Sequence, residues 1–177
     1  MRKPRVGISP CLLGKKVRYD GGHRHNRYIT DILGKYFDWI PVCPEVEYGR
    51  GIPREPMRLI GAPAMPRLVT IFTGIDHTDG MMKWVENKLV GLEKEDLCGF
   101  IFKSKSPTSA IRGVTILSPS GEECATGAGI FGGAFVKHFS LIPVIDDEQL
   151  GDTALRRDFL EKVFAFKRLR DAKEKKR

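Results

Sequence analysis

Two cysteines and a glutamate are the residues of this sequence whose types and positions best suit chemistry. Cys11 ends the apolar segment RVGISPC, and Cys43 and Glu45 belong to the motif VCPE at the end of another apolar segment. A thiolate is a soft ligand for metal ions, and a carboxylate beside a metal can deliver protons or activate water. Cysteine is also a common buried side chain, so the sequence leaves open whether these thiols bind metal or only fill the core.

Cys11 lies in a first polar segment, residues 9–23, and Cys43 and Glu45 lie in a second, residues 42–56. A third polar segment, FKSKSPTSAIRGV at 102–114, follows a further apolar run. It supplies an ammonium group at Lys103 and hydroxyl groups at Ser104 and Ser106, and it carries Ser109 shortly afterwards. Each of the three segments, taken alone, is typical of an ordinary turn that contains proline. Three such segments at the ends of strands favour a site.

The order of apolar patterns predicts an α/β fold. Strands are predicted at 5–9, 37–43, 68–74, 97–104, 114–119 and 141–146. Helices are predicted at 28–37, 81–93, 127–139 and 153–171, the last of them a C-terminal amphipathic helix, and the proline-rich residues 49–67 are predicted to form a long loop. This alternation predicts a mostly parallel, Rossmann-like sheet with helices on both faces.

The three polar segments fall at one edge of the predicted sheet. Cys11, Cys43 and Lys103 each come at the carboxyl end of a strand, which is where open α/β sheets bind ligands. Cys98 begins its strand, about 20 Å from that edge at ~3.3 Å per residue, so we expect it in the core. Cys124 falls in a predicted loop that opens on the same edge.

The length and composition of the chain indicate one domain. Its 177 residues can bury a sizeable core, and we assign residues 1–150 to the α/β domain and residues 151–177 to a terminal helix with a basic tail. No apolar stretch approaches the ~20 residues of a membrane-spanning helix, and the basic N-terminus lacks the continuous apolar run of a signal peptide. We therefore expect a cytoplasmic protein that does not bind membranes.

The formal charge of +8 is concentrated at the two ends of the chain. The C-terminal run at 167–177 is typical of a solvated helix end. The N-terminal cluster surrounds Cys11, and its basic turn at 15–27 predicts attraction of an anionic or polar ligand, or contact with an RNA backbone.

The three polar segments resemble the signatures of the thiouracil desulfidase family, also called domain of unknown function 523. The family motifs read roughly S-x-C-L-L-G-x-x-V-R-Y-D-G, then V-C-P-E, then K-S-x-S-P-S/T-C-G, and the first matches residues 9–21 almost throughout. The resemblance covers about residues 5–150. The closing part, through LRRDFLEKVFAF, is similar to members that carry an additional C-terminal domain, which we expect to be absent here.

This resemblance implies both an activity and a cofactor. Family members remove sulfur from thiolated uracil-type bases, and three cysteines hold a [4Fe–4S] cluster that keeps one iron free for the sulfur. By motif, Cys11 and Cys43 would be two of these ligands, and Glu45 would transfer protons or activate water. The residues that would line the pocket and orient the base or nucleotide are Asp20, Lys103, Ser104 and Ser106.

The sequence departs from the family pattern at the third cysteine. Residues 106–110 read SPTSA, so Ser109 stands at the third ligand position of the cluster. A hydroxyl oxygen is a harder and poorer iron ligand than a thiolate. The resemblance therefore implies a desulfidase whose cluster is weakened or whose activity has diverged.

Two alternatives to this enzyme stay open at the level of sequence. In the first, the chain has lost the cluster and is a non-catalytic module that binds a nucleobase or RNA. In the second, Cys11 and Cys43 bind zinc or a single iron, and His23 or Glu45 completes the site.

Overall fold

A parallel four-stranded sheet forms the centre of the molecule, whose computed structural model describes residues 2–174. This first sheet consists of β1 (Arg5–Ile8), β2 (Asp38–Pro41), β5 (Leu97–Phe102) and β8 (Val144–Asp146), in the order β2–β1–β5–β8. A second four-stranded sheet consists of β3 (Met57–Ile60), β4 (Arg67–Thr70), β6 (Val114–Leu117) and β7 (Glu123–Gly127), in the order β4–β3–β6–β7. In the second sheet only β3 and β6 pair in parallel, and the two outer pairs are antiparallel.

Four α-helices complete the described part of the chain: α1 (Pro44–Glu47), α2 (Thr78–Glu93), α3 (Ile130–His138) and α4 (Thr153–Glu174). An aspartate side chain accepts a backbone amide at the start of each of the two long helices. Asp76 accepts the amide of Thr78 at 2.8 Å before α2, and Asp152 accepts the amide of Ala154 at 2.8 Å before α4. Between residues 2 and 174, none of the helices combines the length and the apolar character needed to cross a membrane.

Helices cover both faces of the parallel sheet. On one face, Phe100 and Phe102 of β5 pack in the same apolar cluster as Phe131 of α3. On the other face, Ile101 shares a cluster with Val163 of α4. All six residues of β5 are buried, as predicted for a strand covered on both sides. The predicted α/β fold with a C-terminal helix is confirmed.

The second sheet corrects the predictions for four segments. Residues 49–67, predicted to form a loop, contain β3, and the predicted loop around Cys124 contains β7. The segments predicted as strands at 68–74 and 114–119 form β4 and β6 of this sheet and do not extend the parallel one. Strands of four or five residues between prolines and glycines are too short to reveal their sheet through hydrophobic periodicity.

The segment at 28–37, predicted to be a helix, forms two tight turns. A π-helical turn spans Tyr28–Ile32 and a 3-10 turn spans Leu33–Lys35. Its apolar residues Ile29 and Leu33 are buried. The apolar spacing therefore predicted their burial correctly, but it predicted the wrong type of helix. The predicted basic tail continues past α4, and its last residues, 175–177, lie outside the described part of the chain.

The topology brings the carboxyl ends of three adjacent strands together. β1 lies between β2 and β5, and Ile8 is in register with Pro41 on one side and Ile101 on the other. Cys11, Cys43 and Lys103 follow these three strands directly. The topology therefore brings the three polar segments together at one edge of the sheet, as predicted.

Candidate functional site

Cys11 lies in a 3-10 turn that follows β1. The turn spans Pro10–Leu13, and Gly14 ends it with a φ of 85°, in the left-handed region that favours glycine. The amide of Arg24 donates to the Cys11 carbonyl at 2.9 Å and ties the following loop back over the turn. The side chain of Cys11 is consequently buried, with 7% of the residue exposed.

Cys43 is the N-cap residue of α1, the short helix that begins at Pro44. The amide of Cys43 donates to Glu47 Oε1 at 3.0 Å, and the amide of Glu47 donates to the Cys43 carbonyl at 2.9 Å. Lys88 of α2 donates to the other carboxylate oxygen of Glu47 at 2.7 Å. These contacts fix the first turn of α1, which carries Glu45.

The beginning of α3 holds the third segment in place. The amide of Gly129 donates to the Ala110 carbonyl at 2.7 Å. A Cβ atom on Gly132 would lie 2.3 Å from the Ala110 carbonyl oxygen, so glycine is required for this close approach. The glycine-rich sequence at the start of α3 therefore sets the position of Ser109, which precedes Ala110.

The three segments surround one cavity of about 380 Å³. Seven of the eight residues proposed from the sequence line it: Cys11, Cys43, Glu45, Lys103, Ser104, Ser106 and Ser109. Asp20 is outside this lining, and its Oδ1 accepts the amide of Gly22 at 2.9 Å. The same carboxylate lies 3.5 Å from Nε of Arg18, which does line the cavity. Asp20 therefore contacts the cavity wall at Arg18 and does not line the cavity itself.

Burial favours the protonated thiol form of both cysteines of the cavity. Burial raises the pKa of Cys11 from 9.0 to about 11, although the nearby Lys103 charge acts in the opposite direction. Burial also raises the pKa of Cys43. A coordinating metal deprotonates such thiols outright. Metal binding at this cavity would therefore release protons.

The Glu45 carboxylate has a hydrogen-bond donor on each of its oxygens. Nε of Arg54 donates to Oε2 at 2.5 Å, and the Thr108 hydroxyl donates to Oε1 at 3.1 Å. The Arg54 side chain is 6% exposed and that of Glu45 is 13% exposed. Ser106 Oγ lies 3.1 Å from Thr108 Oγ1. These two hydroxyl groups therefore extend the hydrogen-bond network of Glu45 along the cavity wall.

Lys103 is held by Asp147, which follows β8. The Lys103 ammonium lies 3.1 Å and 2.8 Å from the two Asp147 oxygens and 2.8 Å from Ser104 Oγ. Burial alone would raise the pKa of Asp147, but hydrogen bonds from Lys103 and Ser104 outweigh burial and keep it below its ordinary value of 3.8. Asp147 therefore holds the Lys103 side chain in place at the cavity wall.

The other cysteines and the predicted histidine lie away from the cavity. Cys98 is buried in the core cluster at the start of β5, which confirms the prediction for it. Cys124 is exposed on β7 in the second sheet, and its Sγ lies 3.3 Å from the Ile116 carbonyl oxygen. His23 is exposed and is not among the residues that line the cavity.

Sequence reasoning missed three residues that position the predicted side chains: Arg54, Thr108 and Asp147. Asp147 directly follows the last predicted strand, so the rule that sites lie beyond strand ends could have identified it. Thr108 lies inside the third polar segment, and its hydroxyl was a candidate by residue type alone. Arg54 follows Glu45 by nine residues in an irregular loop, and no sequence pattern links the two.

Only some of the ligand atoms at the cavity are of the soft type that a soft metal centre binds. Two thiols, Cys11 and Cys43, and one hydroxyl, Ser109, line the same space. Among residues 2–174, no cluster of three or more histidine, cysteine or acidic side chains forms a metal site by itself. Because thiolates are the usual ligands of iron–sulfur clusters, this set fits such a cluster with an oxygen ligand in the place of one thiolate.

Comparisons with known proteins match most of the described structure. Residues 6–147 match the model of the 2-thiouracil desulfurase family. The chain is 27% identical over 128 residues to the uncharacterized protein YbbK of Bacillus subtilis, covering 70% of this chain and 83% of YbbK. It is also similar to the solved structure of the [4Fe–4S]-dependent thiouracil desulfidase TudS, with 26% identity, a TM-score of 0.67, and coverage of 88% of this chain and 99% of TudS.

Proposed function

Because the chain belongs to the 2-thiouracil desulfurase family, we propose that it removes sulfur from thiolated uracil-type bases with a [4Fe–4S] cluster in the cavity. This membership confirms the family to which the sequence motifs pointed. The observation that carries the proposal is the convergence of Cys11, Cys43 and Glu45 on one cavity of about 380 Å³. The similarity to TudS, which is named as a [4Fe–4S]-dependent thiouracil desulfidase, supports the cofactor and the reaction.

The residues that would hold the cluster are Cys11, Cys43 and Ser109. When bound, the cluster supplies an iron without a protein ligand, a Lewis-acid position that can accept the sulfur of the base. Cys11 is buried and Cys43 is half-buried, so the protein partly shields two of the three ligands from water. The alkoxide of Ser109 would be a harder ligand than a thiolate, so it would hold its iron less firmly.

Glu45 is the proposed proton-transfer group. The reaction consumes water: the oxygen of water forms a bond to the ring carbon, the carbon–sulfur bond breaks, and the two protons of water leave with the sulfur as hydrogen sulfide. Oε1 of Glu45 is suited to take a proton from this water and to return it to the departing sulfur. The contacts of Glu45 with Arg54 and Thr108 hold the carboxylate at the cavity wall for this purpose.

Lys103, Ser104 and Ser106 are proposed to orient the base. An ammonium group and two hydroxyls can donate hydrogen bonds to the oxygen and sulfur atoms of a thiolated uracil. The Lys103–Asp147 ion pair keeps the ammonium in place before any substrate arrives. Asp20 is proposed to act indirectly, by orienting Arg18 at the cavity wall.

Turnover of 2-thiouracil after anaerobic loading with iron and sulfide tests this function. We expect the loaded protein to release uracil and sulfide in equal amounts, and we expect Cys11→Ala and Cys43→Ala to release neither. Cys124→Ala is the matched control, because Cys124 lies in the second sheet, and it should retain the activity. Absence of uracil from both the wild type and Ser109→Cys would contradict the proposal.

One observation favours a second candidate, a binding module without a cluster: Ser109 supplies an oxygen where the family motif has a sulfur. The exposed basic residues of the N-terminal turn, Lys15, Lys16 and Arg24, would then attract a nucleotide or RNA. Metal analysis distinguishes the binding module from the enzyme, because the binding module stays free of iron after loading. It should also bind nucleotides or RNA in a salt-dependent manner. Stoichiometric zinc, or one iron per chain, would instead identify a mononuclear site at Cys11 and Cys43.

A further inference from the structure

Arg54 connects the first polar segment to the second. Its Nε donates to Glu45 Oε2 at 2.5 Å, and its Nη2 donates to the Val17 carbonyl at 2.9 Å. Its amide donates to the Tyr19 carbonyl at 2.9 Å. The side chain is 6% exposed, so the guanidinium group is a buried part of the cavity wall.

These contacts make the two oxygens of Glu45 different. Oε2 receives a short, charge-assisted hydrogen bond from Arg54, a type roughly twice as strong as a neutral one. Oε1 receives a longer bond of 3.1 Å from the Thr108 hydroxyl. A hydroxyl group can rotate and donate elsewhere, here towards Ser106 Oγ at 3.1 Å. Oε1 can therefore exchange its partner, whereas Oε2 cannot do so without losing a buried ion pair.

We propose that Arg54 is a positioning residue of the desulfidase, which holds Glu45 by Oε2 and thereby makes Oε1 the oxygen that contacts water or substrate. This inference rests on the proposed function, because it assigns the geometry of a group whose role is proposed there. Each side-chain nitrogen of Arg54 already donates to a protein oxygen, on Glu45, Gly51 or Val17, so we do not expect it to bind the substrate. Its effect on turnover passes through Glu45 and vanishes when the Glu45 carboxylate is absent.

Lysine can replace only part of this arrangement. The planar guanidinium donates in two directions at once, to Glu45 and to Val17, whereas an ammonium group on a flexible stem acts as a point charge. Arg54→Lys therefore keeps the charge beside Glu45 and loses the fixed direction. Arg54→Met loses both the charge and the direction while it retains much of the side-chain volume.

Steady-state kinetics of the loaded enzyme test the proposal through a double-mutant cycle. We expect Arg54→Met to lower kcat on the order of 10²-fold, the lower range for a displaced general acid–base group, and to leave KM close to that of the wild type. Arg54→Lys should recover part of the loss. The double variant Glu45→Gln with Arg54→Met should be as active as Glu45→Gln alone, because the group that Arg54 positions has already been removed.

Arg170→Met is the matched control, since Arg170 also pairs with a carboxylate, Asp96 at 2.9 Å, but at the opposite end of β5. It should retain the wild-type kcat. A wild-type kcat in Arg54→Met, or a double variant slower than Glu45→Gln by the full Arg54 effect, would overturn the proposal. If Arg54→Met does not fold, the double-mutant cycle is measured with Arg54→Lys and Glu45→Gln instead. The same outcomes then support or overturn the proposal.

The outcome also separates this inference from the proposed function. If the wild type forms no uracil after loading with iron and sulfide, both the proposed function and this inference are contradicted. An active wild type with additive Arg54 and Glu45 effects contradicts only the inference.

Discussion

The ammonium group of Lys103 lies 2.8 Å from Asp147 Oδ2 and joins the carboxyl ends of two adjacent parallel strands, β5 and β8. The amide of Ser104 donates to the same carboxylate at 2.7 Å. Both side chains are less than one fifth exposed. This pair fixes one wall of the cavity, and its removal should affect both stability and the site.

Asp147→Asn should destabilise the protein by about 2 kcal/mol at neutral pH. The substitution leaves the largely buried Lys103 without its counter-charge, and hydrogen bonds to charged groups contribute about 1.5–3 kcal/mol each. Urea unfolding measures the effect. Asp158→Asn is the control, because the Lys162–Asp158 pair is exposed and should contribute less than about 1 kcal/mol. Equal effects of the two substitutions would contradict the structural role of Asp147.

The difference between the wild type and Asp147→Asn should disappear in acid. The pKa of Asp147 is held below 3.8 in the folded protein, so the carboxylate contributes stability above that value. This contribution is lost as the pH falls from 3.8 through the depressed pKa of the folded state. Urea unfolding of both proteins across this range measures the difference. A gap in stability that stays constant at acidic pH would show that Asp147 does not act through its charge.

Gly132→Ala should destabilise the protein by about 1–3 kcal/mol and displace the third segment. The added Cβ would lie 2.3 Å from the Ala110 carbonyl oxygen, and overpacking of a well-packed interior is destabilising by this amount. Gly91→Ala in α2 is the matched control, because a Cβ there meets nothing within 4 Å. Alanine should stabilise that helix by up to about 1 kcal/mol. Thermal unfolding distinguishes the two, and a neutral Gly132→Ala would contradict the close approach.

The sequence patterns predicted the long elements and the polar site residues that follow buried strands. The six buried residues of β5 and the polar residues after β1, β2 and β5 followed from periodicity and from the carboxyl-edge rule. The second sheet did not, because β3 has four residues and only Met57 and Leu59 are buried. The partner of Glu45 could not be predicted either, since the contact with Arg54 depends on how an irregular loop folds back.

Ser109→Cys should increase the iron and sulfide that the protein retains after loading. Ser109 lines the same cavity as Cys11 and Cys43, so a cysteine there would supply the third thiolate of the family motif. Iron and sulfide analysis of desalted protein measures the change, and we expect a severalfold gain towards one full cluster per chain. Thr126→Cys on β7 is a control for an added thiol elsewhere. An equal gain in both variants would contradict the assignment of Ser109 to the ligand position.

Formation of uracil and sulfide from 2-thiouracil by loaded wild type and Ser109→Cys, measured side by side without oxygen, tests the central claim most directly. The structure and the family membership predict that the wild type turns over slowly. They also predict that Ser109→Cys is severalfold faster and that both activities are lost when Cys43 is replaced by alanine. No product from either protein, or product formation that is independent of Cys43, would contradict the account.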